Sequence, residues 1–145
     1  ASLFNISVTH QLQNMVRVLL FAAIIGYTWA AVMQYPLKVG DKLELDLGRK
    51  GIKVWQRTTK DGKQETTRFC GPAERNIACG SWVDENFETS SAARVTSGGK
   101  LIIEKVTVAD SGSYSTPDDK PRFTKHADGS VSAVAGTMIH VSVFK

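Results

Sequence analysis

The chain has 145 residues, 42% of them hydrophobic and 22% charged, which suits one compact domain and is too short for two sheet-built ones. Lysine and arginine exceed the acids by 18 to 14, yet the cations are spread among Asp and Glu from Lys38 to Lys125, with no long basic run and no helical stripe. That balance describes a solvated mixed surface and gives no expectation of a nucleic-acid partner.

The first predicted element differs from the rest. Residues 18–33 carry no charge, Arg17 stands just before them, and the small residues Thr28, Ala30 and Ala31 lie near their end. A positive start, a short apolar core and a small-residue exit mark a secretory signal, and the run falls short of the ~20 residues a spanning helix needs. On this reading Met15 is the initiator, residues 1–14 are an upstream segment, 15–30 a signal peptide and 31–145 the mature domain, with no membrane span after cleavage. A buried helix fits less well because the run has no polar face; an uncleaved anchor is the other alternative. Asn5-Ile6-Ser7 fits the glycosylation pattern but precedes the signal.

From Tyr35 onward the pattern has period two. Leu43, Leu45 and Leu47 alternate with Lys42, Glu44 and Asp46, the mark of a half-buried strand. Residues 51–59 form a second strand around Trp55, Asp61-Gly62 supplies a turn, and residues 63–69 return. Residues 94–97 and 100–103 read as a hairpin about Gly98-Gly99. Asp128-Gly129 separates residues 122–127 from a long run ending at 138–144, and these two are expected to be the last strands of the fold, with a bulge at Gly136. Turn-joined β arms without a helical period predict an all-β fold.

Cys70 and Cys79 frame an eight-residue loop. In an exported chain an even cysteine count is what a disulfide requires, and this pairing is expected. A metal site completed by His126 and His140 is the weaker alternative, because cysteines so spaced with two distant histidines make a poor zinc signature.

Residues 101–114 add a specific motif, Leu101-x-Ile103-x-x-Val106-x-x-x-Asp110-Ser111-Gly112-x-Tyr114. It resembles the strand E to strand F corner of immunoglobulin domains, of the I-set or V-set kind, and the chain is similar in plan to small secreted one-domain immunoglobulin proteins of nematodes. The resemblance implies an antiparallel β-sandwich in which Gly40 opens strand B, residues 42–47, 51–59 and 63–69 are strands B, C and C′, and 122–127 and 138–144 are F and G. It makes Trp55 the inter-sheet tryptophan, and Tyr114 the residue whose hydroxyl bonds back to the chain. Leu47, Trp55, Leu101, Ile103 and Tyr114 are then core, and Arg94 is expected to pair with Asp110. The family's inter-sheet cysteines would fall at Leu47 and Thr116, so that bond is absent here.

No zinc-protease helix, nucleophile elbow, dinucleotide fingerprint or phosphate loop occurs. Ser97-Gly98-Gly99-Lys100 has the wrong spacing for a phosphate loop, His126 and His140 have no evident nucleophile beside them, and Asp118-Asp119 has too few oxygen ligands around it for calcium. No catalytic, cofactor or metal residues are therefore expected. The segment between residues 69 and 92 holds the cysteine loop with Arg75, then Trp82 and Phe87. Arginine and aromatic anchors on a closed loop are what a recognition surface needs, and the alternative is that the two aromatics cover a sheet edge. The expected function is a secreted, non-catalytic binding protein that engages an extracellular protein partner or itself. A passive matrix component or secreted effector scaffold is the alternative.

Overall fold

The computed structural model describes Gln13 and residues 32–145; apart from Gln13, the expected upstream segment and signal peptide lie outside the described residues. Strand is the dominant regular structure of residues 32–145, as the alternation predicts. The strands are β1 (Val32–Lys38), β2 (Leu43–Leu45), β3 (Val54–Thr59), β4 (Gln64–Arg68), β5 (Ser81–Asp84), β6 (Thr89–Ala92), β7 (Arg94–Val95), β8 (Leu101–Ile103), β9 (Gly112–Ser115), β10 (Arg122–Lys125), β11 (Val131–Val134) and β12 (Met138–Phe144), with a 3-10 turn at Val108–Asp110. They build a seven-stranded sheet in the order β1-β12-β9-β3-β4-β5-β6, a three-stranded sheet β2-β8-β7, and a separate ribbon β10-β11.

One core is shared by the two larger sheets. Leu43, Leu45, Leu101 and Ile103 come from the smaller sheet, and Trp55, Trp82, Tyr114, Ile139 and Val141 from the larger; all belong to one buried cluster. Alternation decides which residues enter it, since on β12 Ile139, Val141 and Val143 are buried while Met138 and Phe144 stay exposed. Trp55 is fully buried and donates its indole N–H to the carbonyl of Gly99 at 2.9 Å. The Tyr114 hydroxyl donates to the Asp110 carbonyl at 2.6 Å, so the ring is buried without stranding its polar end. Leu47 lies beyond the end of β2 and packs on the cluster half-buried.

Four hairpins share one turn. In Thr59–Lys63, Thr96–Lys100 and His126–Ser130 the first residue's N–H bonds the fifth residue's carbonyl, and the fourth residue's N–H bonds the first's carbonyl. The fourth residue is left-handed and is glycine each time, Gly62, Gly99 and Gly129, with φ between 80° and 87°, as a three-residue loop with a glycine bulge requires. Asp84–Glu88, joining β5 to β6, makes the same two bonds, but its fourth residue is Phe87, at φ 61°.

Three expectations are corrected. The strand beside β12 is β9, not residues 122–127; among the described residues β10 pairs only with β11, because Gly112 and Ser113 take the places opposite Val141 and His140. Gly136 is not a bulge within one strand but lies in the break between β11 and β12, where a side chain would run into the carbonyl of Asp119. Arg94 does not pair with Asp110. It reaches Glu104 at 2.9 Å on the surface, while Asp110 binds the buried Arg57 at 2.7 Å.

Candidate functional site

The outward face of the large sheet is polar by alternation. Gln56 and Thr58 of β3 alternate with the inward Trp55 and Arg57, Gln64 and Thr66 of β4 flank the inward Glu65, and Ser115 follows the inward Tyr114. These residues floor a concavity of about 400 Å³. One wall is Asn76, Ile77 and Ala78 from the cysteine loop; the other is Asp84, Glu85 and Phe87 from the β5–β6 turn.

Each wall is fixed locally. Cys70 and Cys79 form the expected disulfide, with Cα atoms 5.8 Å apart. The loop is tied to β4 by Arg68 N–H and Thr67 Oγ1, both donating to the Ala78 carbonyl at 3.2 Å, and by the Arg68–Glu74 ion pair at 3.2 Å. Asn76 Oδ1 accepts the Ala78 N–H at 3.0 Å, which leaves Ile77 at the loop's apex, 48% exposed. On the other side Asp84 Oδ1 accepts the N–H groups of Asn86 and Glu88, each at 2.9 Å, and Lys63 lies 3.3 Å from the same carboxylate. The Glu88 amide above all holds the Asp84 carboxyl below its ordinary pKa; burial opposes it, and Lys63 and the Asn86 amide add to the lowering.

Phe87 is where these constraints converge. It is the one non-glycine residue with positive φ among the described residues, and its ring is 78% exposed. A left-handed conformation costs a residue with a side chain about 1–2 kcal/mol, and the three sister turns avoid that cost with glycine. The ring recovers nothing by burial in return.

Of the expected recognition residues, Phe87 lines the concavity and Arg75 is exposed in the disulfide loop next to Asn76. Trp82 is a correction: it is fully buried, edge-on to Tyr114 at 5.7 Å, because β5 turns it inward with the core. Its indole Nε1 has no hydrogen-bond partner among the described residues.

Beneath the floor lies a network that sequence reasoning missed. Arg57, 4% exposed, donates from Nε to Glu65 at 2.6 Å, from Nη1 to Asp110 at 2.7 Å and to the Tyr114 hydroxyl at 3.2 Å, and from Nη2 to Ser91 at 3.2 Å. Its guanidinium carbon sits 4.3 Å from the Trp82 ring centroid. Burial works against the Arg57 charge, but Tyr114, Asp110 and Glu65 outweigh it and hold its pKa above the ordinary value. The network clamps β3, β4, β6 and β9 under the concavity and keeps its floor in place.

Other groups singled out in the sequence serve elsewhere. His126 and His140 each meet a serine, Ser132 at 2.9 Å and Ser113 at 3.3 Å, and among the described residues no carboxylate forms an ion pair with either ring. Asp118 accepts the backbone N–H groups of Lys53 and Val54, and Asp119 accepts that of Thr137 and pairs with Arg49. Among the described residues no three His, Cys, Asp or Glu side chains gather as metal ligands. No family model and no curated protein matches the chain.

Proposed function

We propose that this chain is a secreted, variable-type immunoglobulin-like domain that binds a protein partner through the concavity between the disulfide loop and the β5–β6 turn, without catalysis. The strand orders β1-β12-β9-β3-β4-β5-β6 and β2-β8-β7 support the architecture, since variable-type domains extend one sheet beyond its three central strands in this way. The fully buried tryptophan on β3 and the Tyr114 hydroxyl bonded back to Asp110 support it too. The Cys70–Cys79 bond supports an oxidising, extracellular setting.

The observation that carries the binding reading is Phe87. A strained backbone and an exposed aromatic ring coincide at one residue, in a turn type whose other three examples hold glycine. Strain retained where it serves no packing is a pointer to function, and a rigid aromatic beside an amide- and hydroxyl-lined hollow is a hot-spot arrangement.

Phe87→Gly tests it. The variant should be more stable than the parent by about 1 kcal/mol, because the left-handed backbone no longer strains against a side chain. In a binding screen against arrayed extracellular proteins and against the chain itself, signals seen with the parent should vanish with Phe87→Gly and weaken with Arg75→Ala. A variant that loses stability and leaves every signal unchanged would overturn the reading and favour the passive scaffold.

A further inference from the structure

The ribbon β10–β11 is unlike the rest of the fold. All eight of its residues are exposed, so neither face is covered by the described residues. Phe123 is 72% exposed, Val131 61% and Val134 63%. A two-stranded ribbon with both faces wet is at best marginally stable, and three large apolar side chains in water oppose it further.

Its free edge can take another strand. The His126 N–H bonds the Ser130 carbonyl, and alternation along the ladder then turns the backbone groups of Phe123 and Lys125 outward from β10. Pro121, which has no N–H, ends that edge.

Charge selects what comes. Residues 120–137 contain Lys120, Arg122 and Lys125 but a single acid, Asp128, whose Oδ1 is held in the turn by Ser130. None of the three cations forms an ion pair among the described residues. Cations on an edge strand repel a second copy of the same edge, and they favour carboxylates placed directly across. The acidic turn at the tip disfavours insertion of that tip into an anionic membrane.

We propose that the β10–β11 ribbon is a second interaction surface, one that takes an acidic extended protein segment as an added strand along β10, covering Phe123. It stands independently of the concavity, which no ribbon residue lines. Antiparallel addition sets carboxylates opposite Lys125 and Arg122 and an apolar residue opposite Phe123, with Lys120, beyond Pro121, adding attraction for a further acid.

The probe is therefore the blocked peptide Glu-Thr-Val-Glu-Thr-Glu, with Lys-Thr-Val-Lys-Thr-Lys as its control, each titrated into the isotope-labelled full chain and followed by amide NMR. The acidic peptide should give saturable shifts confined to residues 120–137. These should disappear in Phe123→Ser, in the pair Arg122→Glu and Lys125→Glu, and in salt near ~1 M, where charges are screened beyond about 3 Å. Unmoved core resonances in each variant show that the fold is intact. Absent shifts, equal binding of the lysine peptide, or shifts only outside the ribbon would overturn the proposal. Two further results would also overturn it and reassign the surface: co-sedimentation with phosphatidylserine–phosphatidylcholine vesicles that Phe123→Ser abolishes, or concentration-dependent dimerisation that the same variant abolishes.

Discussion

Replacing Arg57 with methionine keeps most of the side chain's length and removes its charge, so it isolates what the buried guanidinium contributes. The residue makes hydrogen bonds at 2.6 and 2.7 Å to two carboxylates whose side chains are each 2% exposed. Without the cation, Glu65 retains only Lys63, 3.9 Å away, and the Ser90 hydroxyl, while Asp110 retains local bonds to Thr107. Breaking a buried pair in this way costs about 3–5 kcal/mol, a large part of the ~5–15 kcal/mol that stabilises a typical domain. At roughly 4 °C per kcal/mol for this size, Arg57→Met should melt about 15 °C below the parent. The triple variant Arg57→Met, Glu65→Gln, Asp110→Asn should recover more than half of the loss, because it leaves no stranded charge. Urea unfolding of all three proteins at neutral pH measures each effect. A loss below ~1 kcal/mol, or a triple variant as unstable as the single one, would refute the assignment of the cost to buried charge.

Two further outcomes are expected. Burial pushes the Tyr114 hydroxyl up to about 12; because the folded value is raised, its contribution is intact below the ordinary value near ~10 and lost as pH climbs towards 12, about 2–3 kcal/mol in all. Tyrosinate absorbance and circular dichroism should therefore show Tyr114 ionising with unfolding, and a full tyrosinate signal from still-folded protein would contradict this. Thiol titration of the unreduced, denatured chain should find no free cysteine, and changing both Cys70 and Cys79 to serine should lower stability by at most roughly 2.5–3 kcal/mol while loosening the Ile77 wall. A double variant that fails to fold would show that the main core depends on this loop after all.

The strands with clean alternation were legible in the sequence because a half-buried strand imposes period two on its side chains. Leu43–Leu45, Val54–Thr59 and Met138–Phe144 all lie inside the predicted runs. Trp82 was not, since β5 is four residues long and followed at once by polar turn residues, so nothing in the local pattern separates it from a loop. Arg57 carried a signal that was there to be used. It stands two residues after Trp55 and must share that residue's inward face, which makes it, rather than the distant Arg94, the cation nearest Asp110. Residues 122–127 read as a sheet strand because Asp128-Gly129 flanked by alternating residues specifies a hairpin but does not specify what the hairpin lies against. At Phe87 no local rule could have helped, since its turn takes glycine elsewhere in this chain and only the backbone reveals the exception.

The pairing of β1 with β12 is parallel and continuous from Val32 opposite Met138 to Lys38 opposite Phe144. The start of β1 and the end of β12 therefore lie at opposite ends of the same ladder. A tensile load applied between those two points slides the strands past one another, and all the rungs between them resist together instead of parting one at a time, as they would if a hairpin such as β3–β4 were pulled open from its free ends. Under such a load the first resistance would come from inter-strand shear along this one seam rather than from the packing of the core.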